Sequence, residues 1–291
     1  VRRPRHVDPR IALFPAWTPT LPPATHTNSY ALGSREVLLV EPATPYGCEQ
    51  RAWVQWARAL AASGRRLVAI VLTHHHQDHV GGADALASEL GLPVWAHAET
   101  ASRVRTPVAR RLVDGEDIVL QGPAPERWTV LHTPGHAPGH VCLWDAETRA
   151  LVAGDMVASR GTILVAPGDG DMRLYLEQLA RLEALRPTLA LPAHGDPIDD
   201  PMGLFALYVA HRLAREAKVL RALRAFEGRG SEGARPAELL PDVYDDAPVT
   251  AWGPALLSLR AHLAKLVTEG RAVAVGAESD RFMAAPSARM S

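Results

Sequence analysis

At 291 residues the chain is long enough for one large core, or for a main domain with a smaller companion. Its 22% charged and 47% hydrophobic residues are ordinary for a globular protein, and a net charge of −1 gives no general electrostatic case for nucleic acid or acidic membranes. Two cysteines, Cys48 and Cys142, exclude a disulfide framework, and no apolar run reaches the roughly 20 residues of a membrane-spanning helix.

In chain order, Val1 to Arg10 is basic and expected to be loose. Pro15, Pro19, Pro22 and Pro23 interrupt any apolar region a signal peptide would need, so the chain reads as soluble and cytoplasmic. Tyr30–Leu32 and Glu36–Val40 form paired strands around a Gly33-Ser34 turn. Gln50–Ala62 has helical periodicity, with Trp53, Trp56 and Leu60 on one face. A buried strand over 67–72 precedes a histidine-rich run, and a helix follows over 83–90. Short strands are expected at 93–96, 128–131, 141–144, 151–153 and 189–191, and a helix at 171–185. After about Pro201 the pattern becomes helical: 204–226, 236–240 and 254–269, then a strand at 271–275. The tail from Gly276 has the composition of disorder.

The run Thr73-His74-His75-His76-Gln77-Asp78-His79 holds four histidines and a carboxylate at the end of a buried strand. Crowded imidazoles repel when protonated but are favourable as neutral ligands around a cation. His74 and His76 share a face in extended chain, whereas Asp78 and His79 reach the same site only if the chain bends. Three later strands each end in a glycine-containing loop with a ligand-type residue: His136, Asp155 and His194. A single tetrahedral zinc takes four ligands, so these seven residues suit two metals with one carboxylate bridging. Such a pair supplies an activated water and a clamp for an anionic transition state.

His74 to His79 matches the HxHxDH motif of the metallo-β-lactamase superfamily, and His136, Asp155 and His194 follow in that family's order and local contexts. With Thr27-Asn28-Ser29-Tyr30, the resemblance covers residues 26–198. It implies an α/β fold, a four-layer αββα sandwich with the site at one edge between the sheets. It further implies one metal on His74, His76 and His136, the other on Asp78, His79 and His194, and Asp155 bridging. Asp155 sets the chain apart from class B β-lactamases, and His76 from flavo-diiron members. Glu41 stands where the family commonly has Asp, in a supporting role. Residues 202–275, with Tyr208 to Glu216 at their start, resemble the winged-helix tail of lactamase-β-like endoribonucleases. The expected organisation is therefore a catalytic domain over 1–201, a winged-helix-like domain over 202–275 and a tail over 276–291.

The function expected is a dinuclear metal-dependent hydrolase acting on a small ester, thioester or lactone, with Asp78 and Asp155 in the chemistry. The alternatives are a metal-dependent (endo)ribonuclease or phosphodiesterase, and a non-catalytic nucleic-acid-binding regulator with a structural metal. A mononuclear iron site acting on a persulfide-type substrate is a further alternative. The donors suit zinc, and also iron, manganese or cobalt. His75 is expected to point away, and Cys142 to be a small buried hydrophobe. His140 is a candidate for holding a ligand or substrate in place, or a packed histidine; His211 and Arg212 are candidates for recognising an anion at the site mouth, and Trp17 for lining the approach. Arg212, Arg215, Lys218, Arg221 and Arg224 recur every three residues, so they wind round a helix instead of forming one basic face. Over 202–291 there are 12 Lys/Arg and 10 Asp/Glu, a net of +2, too little for a nucleic-acid footprint.

Overall fold

The computed structural model describes residues 4–228, 232–276 and 280–286. Strands β1 (Arg5–Asp8), β2 (Ile11–Trp17), β3 (His26–Leu32) and β4 (Glu36–Val40) pair antiparallel in succession, and helix α1 (Gly47–Ala62) crosses to β5 (Arg66–Val71), parallel to β4. Helices α2 (Gln77–Val80) and α3 (Ala83–Leu90) lead to β6 (Val94–His97), and α4 (Ala98–Ala101) leads to β7 (Val108–Leu112). These two parallel strands complete a seven-stranded sheet in sequence order. The second sheet takes β8 (Asp117–Leu120), β9 (Glu126–His132), β10 (Val141–Asp145) and β11 (Ala150–Gly154) antiparallel. Helix α5 (Met172–Ala184) then crosses to β12 (Leu189–Pro192), parallel to β11.

Alternation of side chains builds the layers. Leu38, Val40, Ala69 and Val71 face inward, meeting Val141, Leu143, Val130 and Val152 of the second sheet. Their neighbours Val37, Leu39, Ile70 and Leu72 face outward onto Trp53, Trp56 and Leu60 of α1 and Leu86 of α3. Cys142, Trp144 and Leu151 do the same on the other side, against Tyr175, Leu179 and Leu182 of α5. The result is the four-layer αββα sandwich. Each fully buried Leu, Val or Ile contributes about 1.5–3 kcal/mol relative to exposure. Cys142 is part of this core, its thiol pushed up to about 12 by burial.

Beyond the sandwich lie α6 (Pro201–Glu227), α7 (Pro236–Val243), α8 (Trp252–Thr268) and a hairpin of β13 (Ala272–Ala274) with β14 (Phe282–Ala284). Helix α6 is shared between two cores. Phe205 and Tyr208 pack under the second sheet, whereas Val219, Ala222 and Leu223 join α7, α8 and the hairpin. Among the described residues no helix is long and apolar enough to cross a membrane.

Several expectations fail locally. The segment 1–10 is not loose throughout, because β1 pairs with β2. Strand β2 includes Pro15, which lies beyond the β1 pairing, where no neighbour on that side needs its missing N–H. Strands β7 and β8 were not foreseen: both end their sheets, and β7 alternates half-exposed and exposed residues down to Arg111. The tail expected to be structureless from Gly276 contains β14; residues 277–279 and 287–291 lie outside the described residues.

Candidate metal centre

Five loops at one edge of the sandwich converge. Strand β5 ends just before Thr73 and His74, both fully buried, and the chain then turns into the single-turn helix α2 with His76 as its N-cap. That turn is the bend Asp78 and His79 require. Gly81 and Gly82 let it sit against the 42–45 loop: a Cβ on Gly82 would lie 2.7 Å from the Thr44 carbonyl oxygen. His136 follows β9, Asp155 follows β11, and His194 follows β12.

The convergence forms two lobes. In the first, His74 Nε2, His76 Nδ1 and His136 Nε2 lie 3.0–3.2 Å from one another. In the second, His194 Nε2 is 3.5 Å from Asp78 Oδ2, and His79 Nε2 is 3.8 Å from Asp78 Oδ1. Asp155 stands between them, with Oδ2 3.4 Å from His136 Nε2 and Oδ1 3.4 Å from His194 Nε2 and 3.6 Å from His79 Nε2. Three imidazole nitrogens this close cannot all be joined pairwise by hydrogens, since each carries at most one, and among the described residues His79 Nε2 and Asp155 Oδ1 are buried with no hydrogen-bond partner. Orphaned donors of this kind, aimed at common points, fit a cation.

The outer nitrogen of every imidazole is held by an oxygen, which fixes the ring and leaves the inner lone pair free. His74 Nδ1 is 3.0 Å from Thr73 Oγ1, His76 Nε2 2.6 Å from Asp169 Oδ2, and His79 Nδ1 3.0 Å from Glu41 Oε2. His136 Nδ1 donates to the Leu164 carbonyl at 2.8 Å, and His194 Nδ1 to the His26 carbonyl at 3.1 Å.

Charge divides the lobes in the same way. Burial, reinforced by neighbouring imidazoles, holds His74 well below its ordinary pKa, and burial pushes His136 down to about 4. Burial also opposes a charge on His79, but Glu41, Asp155 and Asp78 outweigh it and raise its pKa well above the ordinary value. Asp155 is likewise opposed by burial, yet His194 and His79 hold its carboxyl well below the usual range.

Other expected residues have different places. His75 points out of both lobes, its Nε2 3.3 Å from Asp169 Oδ1. Glu41 reaches His79 despite its extra methylene. Its backbone sits at φ 62°, and its other oxygen accepts the Thr73 N–H at 3.2 Å. Of the places open to His140, the structure gives the packed one behind a candidate ligand: it is fully buried, and its Nε2 accepts the Asp155 N–H at 3.0 Å. This requires Nδ1 to carry the proton, donated to Thr133 Oγ1 at 2.8 Å. Gly154, at φ 50°, makes the contact feasible, since a Cβ there would lie 2.5 Å from His140 Nε2. Arg212 is not at the site mouth. It is 3% exposed and donates to Thr162 Oγ1 and the Ile163 carbonyl. His211 is exposed on α6, with no hydrogen bond or ion pair to the centre among the described residues. Trp17 ends β2, half exposed and 4.8 Å from the Tyr46 ring. Asp169, which buttresses His75 and His76, is the residue the sequence reading missed. Its Gly168-Asp169-Gly170 setting was the only available signal.

Comparison with known proteins agrees with this fold. Residues 22–194 match the family described as the metallo-beta-lactamase superfamily, and residues 236–281 match a beta-lactamase associated winged helix domain. The chain is similar to an atrochrysone carboxyl ACP thioesterase of Aspergillus chevalieri, 31% identical over 252 residues, spanning 84% of this chain and 76% of that one. It is also similar to the beta-lactamase-like protein 2 homolog of Caenorhabditis elegans, 29% identical over 84% of this chain and 79% of the relative. A beta-lactamase domain protein from Burkholderia ambifaria shares the fold, with a TM-score of 0.82, 23% identity and coverage of 97% and 93%.

Proposed function

This chain belongs to the metallo-β-lactamase superfamily, and on that premise we propose that it is a dinuclear metal-dependent hydrolase of small acyl substrates, a thioester foremost. The observation that carries the two-metal reading is Asp155, whose Oδ2 faces the His74–His76–His136 lobe while Oδ1 faces the Asp78–His79–His194 lobe. His74, His76 and His136 would hold one ion, Asp78, His79 and His194 the other, and Asp155 both. With imidazole and carboxylate donors the ions are zinc in this reading; iron, manganese and cobalt suit the same set. Bound there, the ions supply Lewis acidity toward the substrate carbonyl and a water acidified to near neutrality.

The protein's own groups do the rest. The side chains of Asp78 and His76 are 19% and 32% exposed, whereas those of His79, His136, Asp155 and His194 are all below 10%. Substrate therefore approaches along the Asp78–His76 flank. Asp78 receives the proton released as the water oxygen bonds to the carbonyl carbon, and returns it to the thiolate as the C–S bond breaks. His140 holds the Asp155 backbone, and Glu41 holds the His79 ring, so neither donor set must reorganise during turnover.

Support for a small acyl substrate over nucleic acid comes from the C-terminal cations. Arg215 pairs with Asp246, Lys218 with Asp245, Lys265 and Arg271 with Glu216, and Arg260 with Asp280, so these five of the C-terminal cations are engaged internally. A panel of acyl-thioester, ester, lactone and labelled RNA, each with and without chelator, tests the reading. Chelator-sensitive thioester hydrolysis is expected. Chelator-sensitive RNA cleavage without acyl hydrolysis would replace it with the nuclease alternative.

A further inference from the structure

Directly after Asp155 the chain runs without helix or strand from Met156 to Val165, yet Met156, Val157, Ala158, Ile163 and Val165 are buried. Two of its backbone groups serve the centre. The Leu164 carbonyl accepts His136 Nδ1–H at 2.8 Å, and the Ser159 N–H donates to the His194 carbonyl at 3.2 Å. A segment outside any ladder has few bonds of its own to hold such groups in place.

Helix α6 supplies them. The Tyr208 hydroxyl accepts the Ala158 N–H at 3.0 Å and lies 3.2 Å from the Ala158 carbonyl. One turn on, Arg212 donates to Thr162 Oγ1 at 3.1 Å and to the Ile163 carbonyl, one residue before Leu164. Its guanidinium also lies 5.4 Å from the Tyr175 ring centroid, and the Tyr175 hydroxyl donates to the Met156 carbonyl at 2.7 Å. Among the described residues no carboxylate forms an ion pair with Arg212. Burying a guanidinium against neutral oxygens costs solvation that an apolar side chain would not lose, so core packing alone does not account for it.

We propose that Arg212 and Tyr208 are positioning residues for the metal centre. They pin residues 156–165 so that the Leu164 carbonyl holds the His136 ring with Nε2 aimed at His74 and His76. The C-terminal module, through α6, thereby sets metal affinity. This rests on reading His136 as a metal ligand.

The test uses the full chain and its Arg212→Met, Arg212→Lys and Tyr208→Phe variants. Zinc affinity is measured by chelator competition, cobalt-substituted protein by its visible spectrum, and metal-free protein by amide exchange over 156–165. Arg212→Met should lose about 10-fold in zinc affinity, the low end of what removing a partner bonded directly to a ligand costs, because Arg212 acts one residue away from Leu164. It should also shift the cobalt spectrum and speed exchange. Arg212→Lys, keeping one donor for Ile163, should recover most of this, and Tyr208→Phe should move less in the same direction. Leu239→Val, in the separate C-terminal core, should lower the melting temperature without changing zinc affinity. An Arg212→Met protein that melts lower but keeps wild-type affinity and spectrum overturns the proposal. If that variant does not fold, unchanged affinity and exchange in Tyr208→Phe overturns it instead. Should the wild type bind neither zinc nor cobalt, the metal reading fails, and with it the assigned role of these two residues. Wild-type zinc binding without acyl hydrolysis would reject only the substrate reading.

Discussion

Replacing Glu41 with Gln tests how the second lobe is built. Glu41 and His79 are both buried, and the two carboxylate oxygens accept one N–H each, from His79 Nδ1 at 3.0 Å and from the Thr73 backbone at 3.2 Å. Glutamine keeps the shape but has only one acceptor. Its NH2 must then face one of those donors, leaving a buried N–H unsatisfied at a cost of about 1–3 kcal/mol. The change also removes the negative charge that keeps the His79 ring electron-rich, which lowers affinity for the metal at that lobe by roughly 10- to 100-fold. Zinc competition with a graded series of chelators should show one of two sites weakened and the other nearly unchanged. Glu41→Asp should behave similarly, because the shorter side chain cannot span both contacts from the same backbone position. Wild-type affinity at both sites in Glu41→Gln would refute the reasoning that Glu41 orients His79.

Asp155→Ala and His136→Ala should each lower turnover by more than about 100-fold, beyond what loss of an outer hydrogen bond costs, with circular dichroism of the folded protein retained. Asp169→Asn should weaken metal binding about 10-fold, the low end of that range, because the Asp169 side chain is 32% exposed and water substitutes in part; chelator competition measures it. His262 is fully buried on α8, and among the described residues neither ring nitrogen has a hydrogen-bond partner. Burial, with the charges of Arg212, Lys265 and Arg215, pushes its pKa down to about 3. Between the unfolded value near 6.5 and that folded value only the unfolded chain takes up the proton, so stability falls as pH drops through this window, by about 2 kcal/mol at pH 5. His262→Leu should therefore gain about 2 kcal/mol relative to wild type between pH 7 and pH 5 in urea titrations, and parallel curves would reject this.

The seven residues proposed as ligands, which the structure brings together, were legible because their chemistry is local: each sits near a strand's end, and the spacing of His74, His76, Asp78 and His79 is written in consecutive residues. The layers were legible for the same reason, since Leu38 and Leu39 face opposite cores by simple alternation. What supports the ligands was not. Asp169 meets His76 across 93 residues, and Arg212 meets Ile163 across 49, so their contacts depend on how distant elements dock. Arg212 read as a candidate anion-binding group because its charge is visible in the sequence and its burial is not. His140 reads from the sequence as holding a ligand or substrate in place, or as a packed histidine; its partner, the Asp155 backbone, is one no side-chain pattern reports. Pro15 interrupts the apolar run of β2, and β7 carries Arg110 and Arg111 among its five residues, so neither shows the unbroken apolar run that marks β11.

If seven side chains form one catalytic centre with two ions, activity must follow metal stoichiometry. Titrating metal-free protein with zinc while recording acyl-thioester hydrolysis tests it most directly. Activity should rise until two equivalents are bound per chain and then level off. Full activity with no metal, or with a single equivalent, would contradict the account.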